Sequence, residues 1–230
     1  MRNDHYLIAR EIPIFSTLGE KEFDYLLNMA YLQSFPAGTQ LIEEGDPSEF
    51  LHIILEGVVE LFCSSKNRET TMFVLRSVST FNLSAVLENT AYSMSARTLV
   101  KTKVLMIPAE NMRKVIEVDS AFAHAMVSEL AKRYRMLINA FREQRLCSSA
   151  ERLASYLLRA SERTSVGLQV NLTENRRTLA ALLGMSPEHL SRAFNKLKEY
   201  GVEAKDGKIR LTNLKDLKQF SESTGLIDSH

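Results

Sequence analysis

Residues 173–197, Thr-Glu-Asn-Arg-Arg-Thr-Leu-Ala-Ala-Leu-Leu-Gly-Met-Ser-Pro-Glu-His-Leu-Ser-Arg-Ala-Phe-Asn-Lys-Leu, spell two short helices that meet at Gly184. Leu179, Leu182 and Leu183 recur at helical spacing. Gly184 supplies the positive φ of a tight inter-helix turn, Ser186 stands where a helix cap is needed, and Pro187 suits the first position of the second helix. This is the pattern of a helix-turn-helix. In the second helix Leu190, Phe194 and Leu197 form an inward stripe, which turns Glu188, His189, Ser191, Arg192 and Asn195 outward near the end that enters a major groove. An arginine donates a fork of two hydrogen bonds to guanine O6 and N7, a glutamate accepts from cytosine N4, and a serine serves either base. An ordinary helical hairpin with a solvated polar face has the same pattern, so the surrounding sequence has to decide.

That sequence favours DNA. Downstream, Gly201-Val-Glu-Ala-Lys-Asp-Gly-Lys-Ile-Arg-Leu sets an Asp206-Gly207 turn signal between two strand-like runs, as in a β-hairpin wing. Residues 131–200 hold thirteen Lys and Arg against six Asp and Glu, whereas residues 1–130 hold eleven against seventeen. A formal net charge of +1 therefore conceals a basic C-terminal part suited to phosphates and an acidic N-terminal part that is not.

At 230 residues with 45% hydrophobic content the chain can bury a sizeable core and is long enough for two domains. Its longest apolar runs, such as Leu51 to Leu55, fall far short of the roughly 20 residues that cross a bilayer, and no basic-then-apolar leader is visible. A cytoplasmic protein with no membrane partner is expected. Cys63 and Cys147 are far apart and form no C-x-x-C pair, so neither a disulfide framework nor a metal or iron–sulfur site is readable.

The first thirty residues are helical in pattern, with Phe23, Leu26, Leu27 and Ala30 on one face. From Tyr31 to about Ile107 the period shortens: Leu41-Ile42, Leu51 to Leu55, Val58 to Phe62, Thr71 to Leu75, Ala96 to Val100 and Val104 to Ile107 are strand-like. Turn signals separate them at Pro36-Ala-Gly38, Glu44-Gly-Asp-Pro47, Glu56-Gly57 and Ser64 to Asn67. Short strands at this spacing predict an antiparallel sandwich or jelly-roll barrel. The fold class is α+β.

After Pro108 the helical pattern returns. Ala123, Val127, Leu130, Tyr134, Leu137 and Phe141 follow one another at alternating intervals of four and three, a heptad seam. A helix from about Ser120 to Arg145 would be roughly 37 Å long. A parallel coiled-coil dimer accounts for the seam; packing against the same subunit's barrel is the alternative. Two recognition helices related by a dimer axis would reach successive major grooves about 34 Å apart and select a palindrome. The divisions expected are a sensor barrel over residues 1–118, a dimerisation helix over 119–145 and a winged helix-turn-helix over 146–230.

The barrel with Pro36-Ala-Gly38, Glu44-Gly-Asp46 and Glu56-Gly57, the long helix, and the winged motif with Glu188-x-x-Ser191-Arg192 together resemble the catabolite-activator and fumarate-nitrate-regulator (CRP/FNR) family over almost the whole chain. The resemblance implies a homodimeric transcription regulator, with RNA polymerase as a further partner. It implies that Glu188, Ser191 and Arg192, with His189 beside them, read a half-site, and that Arg176, Arg177, Ser186 and Lys208 touch phosphates. The Glu-x-x-Ser-Arg form is similar to the branch that recognises TTGA half-sites, completed by TCAA. Pro187 stands where the catabolite-activator branch has a base-reading Arg, which argues against that branch's TGTGA preference.

The sensory half departs from the cyclic-nucleotide-binding members of the family. There a Gly-Glu pair and an Arg-Ser or Arg-Thr pair cradle the ligand; here the segment reads Phe81-Asn-Leu-Ser-Ala-Val-Leu-Glu-Asn-Thr-Ala-Tyr-Ser93. Tyr92 replaces the Arg, so a cyclic phosphate would lose its charge-assisted partner unless Arg97 or Lys101 took over. Tight cyclic AMP binding is not expected, and any effector would sit near Ser84, Tyr92 and Ser93. An iron–sulfur oxygen sensor needs four cysteines, which the chain lacks. Haem remains open, with His5, His52 or His124 as an axial ligand, and so do a small metabolite or no ligand at all. The competing reading is a nitric oxide- or carbon monoxide-sensing haem barrel, or another small-molecule barrel, with weak or degenerate DNA binding. No catalytic motif points to an enzyme.

Overall fold

A computed structural model describes residues 3–66, 68–162, 169–205 and 208–222. The chain divides into two compact units, Met1–Tyr134 and Arg135–His230.

In the first unit, helices α1 (Asn3–Arg10) and α2 (Glu20–Asn28) flank a single 3-10 turn at Pro13–Phe15. Among the described residues eight strands follow: β1 (Tyr31–Phe35), β2 (Gln40–Ile42), β3 (Phe50–Glu56), β4 (Val58–Ser65), β5 (Arg68–Arg76), β6 (Ser79–Phe81), β7 (Ser95–Thr98) and β8 (Thr102–Pro108). Helix α3 (Leu83–Glu88) separates β6 from β7, and α4 (Ala109–Val118) leads into α5 (Ser120–Leu146). The strands form two antiparallel four-stranded sheets, ordered β1-β8-β3-β6 and β2-β7-β4-β5. That is the predicted jelly-roll arrangement. Neither β1 nor β6 stands out among the strand-like runs of the sequence: β1 is an edge strand with four exposed residues, and β6 has only three, too few to show a period.

β3 explains how the unit packs. Leu51, Ile53 and Leu55 on one face join a core with Phe15, Phe23 and Leu26 of the N-terminal segment, Met112 and Val115 of α4, and Phe122 and Met126 of α5. Ile54 on the other face joins Ile42, Val59, Leu61, Phe81, Tyr92 and Ala96 between the sheets. A strand buried on both faces reads as a nearly unbroken apolar run, and Phe-Leu-His-Ile-Ile-Leu does so.

The second unit begins inside α5 and continues through α6 (Ser149–Glu162), β9 (Gln169–Asn171), α7 (Arg176–Leu182) and α8 (Pro187–Leu197). After a 3-10 turn come β10 (Val202–Lys205), β11 (Lys208–Leu211) and α9 (Leu214–Glu222). β11 pairs antiparallel with β10 and with β9, giving the wing a third strand beyond the two expected on either side of Asp206-Gly207. The Asp206-Gly207 turn signal lies outside the described residues. α6 starts on a reciprocal cap, since Ser148 N–H donates to Glu151 Oε2 at 2.6 Å and Glu151 N–H donates to Ser148 Oγ at 3.3 Å. Among the described residues no helix is long and apolar enough to cross a membrane.

Candidate nucleic-acid interface

Helix α7 starts on Asn175, whose Oδ1 accepts from Thr178 N–H at 2.9 Å, and α8 starts on Ser186, whose Oγ accepts from His189 N–H at 3.3 Å. Both caps satisfy amides that a helix start leaves without intrahelical partners. The Ser186 cap was readable in the sequence. Asn175 was equally readable, as an Asn directly before a periodic run. Gly184 joins the helices with φ +61°, and Pro187 occupies the first turn of α8.

On α8, Leu190, Ala193, Phe194 and Leu197 are buried in a core with Leu153, Leu157, Leu179, Leu183, Ile209 and Leu211. Glu188, His189, Ser191, Arg192 and Asn195 are all exposed. The stripe holds the helix down, and the polar set is what remains to meet a ligand.

The hydrogen-bonding capacity of that set is partly defined. Ser191 Oγ donates to the Pro187 carbonyl at 3.0 Å, which leaves its lone pairs free to accept. Ser186 Oγ stands 3.2 Å from His189 Nδ1 and also hydrogen-bonds the Glu188 carboxylate. That bond first, then the Glu188 amide and the nearby Arg192 guanidinium, hold the Glu188 carboxyl below the usual carboxylate range. Glu188 is therefore an anion at neutral pH, an acceptor at a helix N-terminus that favours negative charge.

Arg176 and Arg177 are exposed at the start of α7, and Arg176 Cζ lies 5.7 Å from the centroid of the Phe194 ring. Lys208 is exposed at the start of β11. Ser186 serves first as the cap of α8.

The seam residues divide between the units. Ala123 is half-buried, Val127 is 64% exposed, and Leu130 is half-buried against the barrel core. Tyr134, Leu137 and Phe141 are 65%, 52% and 54% exposed, as large apolar side chains seldom are along a continuous stripe. Phe122 and Met126, on another face of α5, are the residues that bind the helix to its own barrel. Within the first unit, packing on the barrel thus accounts for Leu130 but leaves Val127 uncovered.

In the barrel, Tyr92 is buried and its hydroxyl both donates to the Phe50 carbonyl and accepts from the Phe50 amide, each at 3.3 Å. Burial pushes its pKa up. Ser84 and Ser93 are exposed. Arg97 is ion-paired twice: Nε donates to Glu60 at 2.7 Å, the two terminal nitrogens donate to Glu69 at 3.1 and 2.6 Å, and the guanidinium lies over the Phe62 ring. Glu60 itself is buried and also accepts from Thr71. This network is not legible along the chain, because a charged residue inside a strand reads as solvated unless its partner is known.

Of the histidines considered, His5 has a side chain outside the described residues, His124 is exposed on α5, and His52 is buried. His52 stacks on Phe81 with centroids 4.9 Å apart, and its Nδ1 lies 3.4 Å from Asn82 Nδ2. Burial lowers its pKa from 6.5 to about 4. Above pH 6.5 the folded and unfolded chains bind the same protons here; as pH falls from 6.5 through 4 the unfolded chain binds more, and stability is lost. Urea denaturation of the barrel should show about 2 kcal/mol less stability from this group at pH 5 than at pH 7.5. His52→Gln should flatten that dependence; an unchanged slope would assign the acid sensitivity elsewhere.

Comparison with known proteins agrees with both units. The cyclic nucleotide-binding domain family matches residues 32–119, and the Crp-like helix-turn-helix domain family matches residues 151–220. The chain is 28% identical over 193 residues to the cyclic AMP receptor protein of Thermus thermophilus, covering 83% of this chain and 87% of that relative. It is 23% identical over 179 residues to a CRP-like cAMP-activated global transcriptional regulator of Mycobacterium tuberculosis, covering 76% of this chain and 80% of that one. The fold is also that of FixK2 from Bradyrhizobium japonicum, with a TM-score of 0.74 at 19% identity, covering 87% of this chain and 98% of that one. With a barrel of the cyclic nucleotide-binding kind and a Crp-like helix-turn-helix on one chain, the protein belongs to the CRP/FNR family of transcription regulators.

Proposed function

We propose that the protein acts as a homodimer that reads palindromic promoter DNA of the TTGA-N6-TCAA type and recruits or obstructs RNA polymerase in the cytoplasm. The observation that carries this reading is the exposed set Glu188, His189, Ser191 and Arg192 standing on a buried stripe at the start of α8. Arg192 supplies the guanine fork, while Glu188 and Ser191, both acceptors here, suit the amino groups of cytosine or adenine. Arg176, Arg177, Ser186 and Lys208 contact phosphates. The assigned divisions are a barrel over residues 1–118, a dimer helix over 119–145 and a DNA-binding domain over 146–230.

Gel shifts at moderate salt on TTGA-N6-TCAA and on a scrambled duplex test the reading. Arg192→Ala should weaken the specific complex by about 1 to 3 kcal/mol and relax preference at the guanine it reads, with little change on scrambled DNA. Equal losses on both duplexes would remove Arg192 from base reading. Arg176→Ala or Lys208→Ala should instead weaken both complexes and reduce the salt slope by roughly one.

The effector of this barrel is not a cyclic nucleotide held by the family's arginine cradle. Tyr92 occupies that arginine's position and hydrogen-bonds the Phe50 backbone, and Arg97 is already neutralised by two carboxylates. Calorimetry with cyclic AMP and cyclic GMP should detect no binding near micromolar concentration, about −8 kcal/mol. Micromolar affinity that also tightens DNA binding would overturn this assignment.

A further inference from the structure

Three contacts surround the C-terminal end of α5 inside the second unit. Glu143 accepts two hydrogen bonds from Arg159 of α6, at 2.6 and 3.2 Å. The seam's next heptad position after Phe141 falls on Gln144, whose Nε2 lies 3.1 Å from where a Cβ at residue 184 would stand. The φ of +61° at residue 184 is what calls for glycine, and the Gln144 amide lies beside it.

The third contact is made by Arg152, half-buried on the first turn of α6. Its guanidinium donates from Nη1 to the Cys147 carbonyl at 2.7 Å, from Nε to the Leu183 carbonyl at 2.9 Å and from Nη2 to the Gly184 carbonyl at 3.4 Å. Cys147 immediately follows α5, and Leu183 and Gly184 follow α7. Helix ends leave carbonyls without intrahelical partners and favour a nearby cation. One rigid planar fork therefore closes two helix ends at once, which a flexible ammonium does not reproduce.

We propose that Arg152 is a positioning residue for DNA reading: by joining the end of the dimer helix to the turn before α8, it fixes the attitude of the recognition helix relative to the two-fold axis. This rests on the palindrome-reading dimer proposed above. A palindrome demands that both recognition helices arrive at one separation, whereas a single half-site makes no such demand. Arg152 therefore sets spacing selectivity without touching a base.

The test compares Arg152→Met and Arg152→Lys with the unaltered full-length chain on palindromes spaced by 5, 6 and 7 base pairs and on a duplex carrying one half-site. Arg152→Met should lose about tenfold or more on the preferred spacing and under about twofold on the single half-site, so that the spacing preference collapses. Arg152→Lys, with its charge but no fork, should fall between. Equal losses on all duplexes, with a lowered melting temperature, would mean a structural role alone and overturn the proposal, as would unchanged binding.

A readout without DNA separates this proposal from the reading it rests on. Spin labels at Arg142→Cys and Lys198→Cys, in a Cys63→Ser, Cys147→Ala background diluted with unlabelled chain, report the attitude of the motif on α5 within one protomer. Arg152→Met should at least double the width of the distance distribution, and an unchanged width would overturn the proposal. If the unaltered protein fails to discriminate TTGA-N6-TCAA from scrambled DNA, the DNA-reading assignment fails while the label distances still decide the tie.

Discussion

Leu137→Glu is expected to convert the proposed dimer to monomer, weakening self-association by more than about 100-fold, in line with the 3 to 5 kcal/mol that an unpaired buried charge costs. In the single chain Leu137 is 52% exposed, so the carboxylate meets water there and the monomer should keep its fold and helicity. At a two-fold contact the same substitution brings two carboxylates together in an apolar seam. Sedimentation velocity should show the monomer, circular dichroism an unchanged helix content, and gel shifts a large loss on the palindrome, because two linked half-sites no longer bind as one. A variant that stays dimeric with unaltered DNA affinity would assign the exposed stripe of α5 to some other role. Leu130→Glu is a poorer probe, since Leu130 also packs on the barrel core and its loss would confound association with folding.

Gly57→Ala is expected to destabilise the barrel by about 3 to 5 kcal/mol, from a strained backbone conformation together with overpacking. Gly57 turns the chain from β3 into β4 with φ +100°, where an L side chain is strained whatever the space around it. Here there is no space either. A Cβ would stand 2.5 Å from Thr102 Oγ1 and 2.7 Å from both the Lys101 carbonyl oxygen and Thr102 Cα. Two of those neighbours are backbone and cannot rotate aside, and Thr102 Oγ1 is also the acceptor for the Val58 amide at 3.3 Å. Scanning calorimetry should show the barrel transition lowered by more than about 10 °C with the DNA-binding unit little changed. A shift of a degree or two would mean that β8 moves easily away from the turn. Gly38 offers the contrast: its φ is +79°, but nothing lies within 4 Å of a Cβ there, so Gly38→Ala should carry only the backbone term.

The same residues separate what was legible along the chain from what was not. Ser186, Pro187 and Gly184 act locally, through a cap, a fixed φ and a positive φ, so their roles could be read from neighbours a few positions away. The α8 stripe and the α5 heptad are likewise properties of one helix, and periodicity reveals them. Sequence thereby determined the fold class, the helix-turn-helix with its outward polar set, and a long helix with a second apolar face. Tertiary structure alone decided which groups met across distance: Arg97 with Glu60 and Glu69, Tyr92 with Phe50, His52 with Phe81, and Arg152 with two helix ends. Each of those pairings joins residues brought together by strand register or helix docking, and the type of a polar residue does not say which partner will satisfy it. Burial decides that, because a polar group removed from water must find a partner wherever the fold puts one.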